Sequence, residues 1–310
     1  MSLTSLIRSS DSHTKDFFVK HFPYVTEAAK LINQGLDGIK LLDCLPKNSP
    51  GHVYGWVGTA FDYRARYYLK VTPYRKLMAY NGGRIFETND SFGRKLDDWV
   101  RKIRKPRKKL SASQERNLCL LTLLLAKLEV LGRAYMAESP EVVLGAEHYP
   151  IVKEAIAQPT IAKTLKIIAA KYDPVVVKDL MTLSRAFHKN IDGWKIRHSV
   201  LNPVFYGSPD VGGADADMIL GSVLVEIKCK KRAIGRNDLF QLIGYKLLDY
   251  HNWYGIDCLG IYFGRHGVLQ YWPLRKLLKS LGCPIASVVE LRKKFRRAVD
   301  KDMRFINGYF

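Results

Sequence analysis

The stretch GADADMILGSVLVEIKCKK (residues 213–231) contains two short apolar runs that flank a Gly-Ser pair. A two-residue loop that begins with glycine is typical of a tight β-hairpin, because glycine accepts the positive φ that such a turn demands. With Gly221 and Ser222 as the loop, Leu220 faces Val223. The stretch therefore predicts an antiparallel hairpin with a fixed register.

This register gathers the charged residues of the hairpin on one face. Side chains alternate along a strand and pair across it, so Asp217 is expected opposite Glu226, and Asp215 opposite Lys228. Two facing carboxylates repel each other unless a positive charge lies between them. Mg²⁺ prefers oxygen ligands and takes one or two protein carboxylates, so the pair predicts a magnesium site with an ammonium group beside it. The alternative is a charged, solvent-facing side of the hairpin.

The composition is that of a globular protein with a strong excess of positive charge. The 310 residues are 47% hydrophobic and 25% charged, and 50 Lys and Arg against 29 Asp and Glu give a net charge of +21. This excess favours a polyanionic partner, above all nucleic acid, although a membrane surface attracts the same charge. No apolar run reaches the length of a membrane span, and the N-terminus has no secretory h-region. We therefore expect a cytoplasmic protein without a membrane partner.

The order of the predicted elements indicates an α/β protein whose mixed-sheet core follows a large helical N-terminal part. We expect an α-rich region over 1–110 that contributes a helix to the core, a helical region over 111–195, and the core with its C-terminal helices over 196–310. Within the last region the predicted order is β-β-β-α-β-β and two helices: a strand in 201–207, the hairpin, a helix over about 237–252, strands over 258–263 and 268–272, and helices over about 274–281 and 287–299.

The hairpin resembles that of the PD-(D/E)xK nuclease superfamily, in which an acidic residue on one strand precedes E-x-K or D-x-K on the next. Here Asp217 precedes the run MIL, and Glu226 and Lys228 form the E-x-K. The resemblance implies a restriction-endonuclease-like mixed sheet flanked by helices. It implies that Asp217, Glu226 and the backbone carbonyl of Ile227 hold the metal, and that Lys228 positions or deprotonates the nucleophile. Asp215 is expected to support Lys228 as an ion-pair partner.

Two further patterns resemble the RecB-like nuclease domain. Gln241 and Tyr245 form a Q-x-x-x-Y motif on one helix face, which in that family borders the active site, so Gln241 is expected to orient the lysine or a phosphate and Tyr245 to support the wall. At the expected start of an earlier helix, Gly58 and Asp62 resemble the G-x-x-x-H motif with Asp in place of His. Asp62 is thus a candidate metal ligand, and Glu129 is the alternative. The whole chain is also similar to prokaryotic proteins that carry GTAFDYR and GGADAD…EIK.

Together these features predict a Mg²⁺-dependent nuclease that acts on DNA, with Mn²⁺ able to replace Mg²⁺. The five cysteines are scattered without a C-x-x-C pair, so neither a zinc knuckle nor a disulfide framework is indicated, and no iron–sulfur cluster is expected. The basic residues expected to contact nucleic acid are Lys230, Lys231, Arg104, Lys105, Arg107 and Lys108. The run that contains the last four could instead be a solvated loop. The alternatives are an RNA-directed nuclease and a non-catalytic nucleic-acid-binding protein with a nuclease-like fold. DNA processing or defence is the expected setting.

Overall fold

A computed structural model of the chain describes residues 2–86, 90–103, 109–134, 139–192, 198–284 and 287–306. The chain is divided into two compact units. The helical unit is Leu41–Trp194, and the α/β unit combines Met1–Lys40 with Lys195–Phe310. The α/β class and the mixed sheet expected from the sequence are confirmed.

The helical unit is built around one long, buried helix. Its helices, within the described residues, are α4 (Gly51–Leu69), α5 (Ala79–Gly83), α6 (Ser91–Ile103), α7 (Ala112–Ala134), α8 (Pro140–Ile156), α9 (Ile161–Lys171) and α10 (Pro174–Asp192). Helix α7 is buried over Leu118–Leu128 except at Lys127, because α4, α5, α8, α9 and α10 all pack against it. A Cβ on Gly82 of α5 would lie 1.8 Å from the carbonyl oxygen of Leu128, so only glycine allows this close approach.

The α/β unit contains, in its described part, one five-stranded sheet in the order β1-β2-β3-β4-β5. The strands are β1 (Ser199–Leu201), β2 (Met218–Leu220), β3 (Val223–Lys228), β4 (Cys258–Phe263) and β5 (Val268–Pro273). Strands β3 and β4 are parallel, and the other neighbours are antiparallel. The parallel pair requires a crossover connection, which is helix α11 (Arg236–Leu248).

The predicted register of the hairpin is confirmed over the three residues of β2. Leu220 pairs with Val223 and Met218 with Val225. Gly221 has a φ of 62°, the positive value for which a glycine is needed at the first position of this two-residue turn. The sheet order β-β-β-α-β-β is also as predicted, and β4 has the predicted bounds.

Five further α-helices in the described part of the α/β unit cover one face of the sheet. They are α1 (Leu3–Arg8), α2 (His13–His21), α3 (Val25–Gln34), α12 (Leu274–Ser280) and α13 (Val288–Ile306). Their apolar side chains form one cluster with α11 and with Ile219, Leu224, Leu259 and Ile261 of the sheet. Within it, the ring of Phe18 stacks on that of Phe240 with 4.9 Å between centroids. The sheet thus buries its face by using helices from both ends of the chain.

The structure corrects three expectations. A boundary near residue 110 does not divide the chain, since it falls inside the helical unit, and residues 1–40 join the C-terminal part because the apolar faces of α1–α3 pack there. The first strand is Ser199–Leu201 rather than 201–207, where only Val204 forms an isolated bridge. Helix α4 begins at Gly51 after Pro50, so Gly58 lies inside the helix and not at its start. Within the described ranges, no helix combines the length and the apolar character that crossing a membrane requires.

The aromatic cluster yields a stability prediction for the α/β unit. Phe18 is completely buried between Phe240 and Phe295, so Phe18→Ala should lower the free energy of unfolding by about 3–5 kcal/mol, as is usual for a lost core phenylalanine. The neighbouring Val19 is 49% exposed, and Val19→Ala should change the free energy of unfolding by less than about 0.5 kcal/mol. Urea unfolding of both variants measures the difference, and equal losses would contradict the core assigned here.

Candidate metal and nucleic-acid site

The charged residues of the hairpin lie at one end of strands β2 and β3. Asp217 immediately precedes β2, and Glu226 and Lys228 are on β3, with their side chains on the face that also carries Leu224. The Oδ2 atom of Asp217 accepts a 2.6 Å hydrogen bond from the backbone N–H of Ile227. The register that fixes Met218 opposite Val225 therefore brings the Asp217 carboxylate alongside the end of β3.

Lys228 is the centre of the hydrogen-bond network. Its Nζ atom lies 2.8 Å from Oε1 of Glu226 and 2.8 Å from Oε1 of Gln241, and donates to both. Its side chain is only 16% exposed. Burial alone would lower the pKa of this ammonium group, but the carboxylates of Glu226, Asp238 and Asp217 outweigh burial and raise it. Lys228 is therefore held as a cation among oxygen atoms.

Helix α11 places Gln241 and Tyr245 one turn apart above this network. The Nε2 atom of Gln241 donates to the Tyr245 hydroxyl at 2.8 Å and to Oγ1 of Thr4 at 3.3 Å. Gln241 thus connects the Lys228 ammonium to the Tyr245 phenol and to the N-terminal helix α1. The predicted pattern Q-x-x-x-Y lies on the helix face that meets the hairpin.

Tyr245 shows how closely the carboxylates are gathered. Its side chain is 7% exposed, and its ring stacks on that of Phe205. Burial raises the pKa of the phenol far above its ordinary value, and the negative charges of Glu226, Asp217 and Asp215 raise it further. The phenol therefore remains protonated, and the negative charge of the hairpin carboxylates acts on Tyr245.

The expected ion pair between Asp215 and Lys228 is wrong. Among the described residues, the pairing of β2 with β3 ends at Met218, and upstream of Met218 the chain pairs with another segment. The backbone of Asp215 bridges to Val204, and the carbonyl of Asp217 accepts from the N–H of Asn202 at 3.0 Å. Lys228 instead has Glu226 as its close ionic partner. The charge of Asp215 contributes to the raised pKa of Tyr245, and a supporting role for Asp215 stays a prediction.

Asp238 is a site residue that sequence analysis missed. Its Oδ2 atom accepts from the N–H of Gly235 at 2.8 Å, which caps the start of α11, and also pairs with Lys230. Its Oδ1 atom lies 3.8 Å from Nζ of Lys228. Burial would raise the pKa of this carboxyl group, but Lys230, the Gly235 N–H and Lys228 lower it. The sequence signal for this capping role is an acidic residue in the first helical turn after a glycine.

Two expected site residues belong to the helical unit. Asp62 lies on α4, where Arg66, one turn later, binds its carboxylate in a salt bridge. Glu129 lies on α7 and accepts hydrogen bonds from the Tyr63 hydroxyl at 2.5 Å and from Arg133 at 2.8 Å. Both carboxylates thus have structural partners, and a metal-binding role for either stays a prediction.

The basic residues expected to bind nucleic acid fall into two groups. Lys230 and Lys231 follow β3, where both are half-buried, and Lys230 pairs with Asp238. The others lie outside the described residues: Arg104, Lys105, Arg107 and Lys108. Their contact with nucleic acid remains a prediction.

The donor set fits a hydrated magnesium ion. Within the part of the chain that the structure describes, no group of three or more His, Cys, Asp or Glu side chains is placed to hold a metal ion. Asp217 and Glu226 supply two carboxylates, and Mg²⁺ typically takes one or two protein carboxylates and fills its remaining positions with water and substrate phosphate oxygens. The pair with the nearby Ile227 backbone therefore suits Mg²⁺ or Mn²⁺. The Ile227 carbonyl as a ligand stays a prediction.

No protein-family model, curated protein or solved structure matches the chain. The geometry of the site therefore carries the functional interpretation.

The lowered pKa of Asp238 yields a pH prediction. A carboxyl group whose pKa is lower in the folded protein stabilises it above the ordinary value of about 4, and this contribution disappears as pH falls through the folded pKa. Asp238→Asn should therefore be less stable than wild type by about 1 kcal/mol at pH 7, since the group is partly solvent-screened, and the gap should close below about pH 4. Urea unfolding midpoints of both proteins from pH 7 to pH 3 measure this difference in stability. The control is Glu290→Gln, which removes one partner of the exposed ion pair between Glu290 and Lys294. A gap that widens in acid would contradict the assigned partners.

Proposed function

We propose that the chain is a Mg²⁺-dependent nuclease of the PD-(D/E)xK type that hydrolyses phosphodiester bonds in DNA. The supporting observation is the arrangement around Lys228, whose ammonium group lies between Glu226 and Gln241 and near Asp217. A solvated charged face would leave these groups exposed, whereas Glu226 is only 6% exposed. Burying several charged groups costs free energy, which favours a functional site over a surface feature.

Asp217 and Glu226 are the residues that would hold the metal. When bound, Mg²⁺ lowers the pKa of its water ligand and neutralises charge on the phosphate. Asp217 keeps its Oδ2 directed by the Ile227 N–H, so both the position and the orientation of this carboxylate are set before any ligand arrives. Because a preorganised ligand of this kind is already in position, no free energy is lost in ordering it during the reaction.

Lys228 and the two residues of α11 have separate roles in this proposal. The Lys228 ammonium stabilises the negative charge that develops on the phosphate oxygens when water attacks phosphorus and the bond to the leaving oxygen breaks. Gln241 holds the ammonium in place through its Oε1 and is itself held by Tyr245 and Thr4. Tyr245, with its protonated phenol, closes the wall of the site.

The nuclease proposal predicts loss of cleavage in two variants. Asp217→Ala should remove metal-dependent cleavage of DNA, and Lys228→Ala should lower kcat by about 10²–10³-fold, the usual cost of one electrostatic group at a reacting centre. The measurement is product formation with Mg²⁺ or Mn²⁺ on linear, circular and single-stranded DNA and on RNA. Asp16→Asn, an exposed acid on α2, serves as the control and should cleave like wild type.

Three outcomes separate this proposal from its alternatives. Cleavage of RNA but not DNA indicates an RNA-directed nuclease. Retention of DNA without cleavage by the wild type under any of these conditions indicates a non-catalytic binding protein. Wild-type cleavage rates in both variants would remove Asp217 and Lys228 from the mechanism.

A further inference from the structure

A cavity of about 210 Å³ opens beside Lys228 on the side away from β2. Three segments of the α/β unit form its walls: the loop between β3 and α11, the end of α3, and the turn between β4 and β5. We call it the basic cavity, and its polar lining residues are Lys228, Lys230, Lys231, Arg232, Asn33, Asp37 and His266. Four of these side chains are cationic and one is acidic.

The loop that carries the cations is held in place on the α3 side. The side-chain amide of Asn33 donates to the carbonyl of Ile234 at 2.9 Å and accepts from its N–H at 3.0 Å. One side chain thus satisfies both backbone groups of a loop residue about 200 positions away in sequence. At the next residue, the N–H of Gly235 donates to the carboxylate of Asp238 at 2.8 Å. The end of this loop is therefore held by Asn33 and Asp238, and Asp238 also pairs with Lys230.

The opposite wall is joined to β3 by contacts of the β4–β5 turn. The N–H of Gly264 donates to the carbonyl of Lys228 at 2.9 Å, and Nε of the fully buried Arg265 donates to the carbonyl of Cys229 at 3.1 Å. A Cβ at Gly264 would lie 2.5 Å from Sγ of Cys229, so a larger residue there would require the Cys229 side chain to move. The turn places His266 on the cavity wall.

The cations of the cavity repel one another. Burial lowers the pKa of Lys230, and the charges of Lys228 and Arg232 lower it further, while Asp238 acts in the opposite direction. The carboxylates of Glu226 and Asp238 are engaged by Lys228 and Lys230, whereas Arg232 extends into solvent. An anion in the cavity would relieve this repulsion, just as a cation relieves the repulsion between facing carboxylates.

We propose that the basic cavity binds a phosphate group of the nucleic acid strand other than the one that is cleaved. The guanidinium of Arg232 offers the paired N–H donors that match phosphate oxygens, and the imidazole of His266 adds a further hydrogen-bonding group. The volume equals that of about seven waters at roughly 30 Å³ each, which accommodates a phosphate group with a few waters. Lys228 lines the cavity and also belongs to the carboxylate site, so one strand would contact both. This inference rests on the proposed nuclease function.

The direct test measures binding rather than cleavage. The double variant Arg232→Gln/His266→Gln is compared with Lys279→Gln, which removes one exposed cation from the end of α12. Fluorescence anisotropy with EDTA present gives Kd for four single-stranded oligonucleotides: with a 5′-phosphate, with a 5′-hydroxyl, with a 3′-phosphate, and circular. The double variant should bind about 10-fold or more weakly than the control, which corresponds to the loss of a charge-assisted hydrogen bond.

The salt dependence provides a second measurement. One lost phosphate contact on a single strand lowers the slope of log K against log salt by about 0.7, and the double variant should show this change while Lys279→Gln should not. A loss restricted to oligonucleotides with a terminal phosphate identifies an end-binding pocket, and an equal loss with circular DNA identifies an internal phosphate. Both support the proposal. Affinity and slope equal to those of Lys279→Gln would overturn it.

The same proteins distinguish failure of this inference from failure of the nuclease proposal. If wild type binds more tightly than the double variant but does not cleave with Mg²⁺ or Mn²⁺, the cavity stands and the catalytic function fails. If the double variant binds like the control while wild type cleaves, the catalytic function stands and the cavity fails.

Discussion

The register of one hairpin is the constraint on which the site depends. A positive φ at Gly221 makes a two-residue turn, and that turn fixes Met218 opposite Val225. Because side chains alternate along a strand, a shift of one residue would move every side chain of the shifted strand to the other face. Glu226 and Lys228 would then leave the face that α11 covers. The glycine therefore determines which side chains can meet Gln241 and Tyr245, although it lies at the far end of β3.

The hairpin alone cannot hold its charges in a buried position. Charged groups removed from water need partners that satisfy them, and here the partners come from distant parts of the chain. Gln241 connects Lys228 to Tyr245 and to Thr4 on the first helix, while Asp238 caps α11 and balances the adjacent lysines. The helices that bury the sheet thus also supply the polar groups that fix the site, so packing and site geometry are coupled.

Local sequence patterns predicted the elements of the site but not their connections to distant parts of the chain. The turn residues gave the hairpin register, alternation gave the shared face of Glu226 and Lys228, and helical spacing placed Gln241 and Tyr245 together. The pairing of Asp215 with Lys228 failed because the chain upstream of Met218 pairs with Val204, 11 residues from Asp215 in sequence, which no local pattern reveals. Thr4 and Asn33 make their contacts because helices α1 and α3 pack against residues that are more than 200 positions away in the chain. Such contacts follow from apolar burial of whole helices, and sequence spacing carries no signal for them.

The proposed metal binding by Asp217 and Glu226 can be measured with Mn²⁺. Electron paramagnetic resonance of free Mn²⁺, with an uncleaved phosphorothioate oligonucleotide present, measures how much ion the protein retains. Wild type should retain Mn²⁺ and Mg²⁺ should displace it, whereas Asp217→Asn/Glu226→Gln should retain at least about 10-fold less Mn²⁺ at the same concentrations, since both anionic ligands are lost. Equal Mn²⁺ retention by wild type and the double variant would contradict metal binding by Asp217 and Glu226.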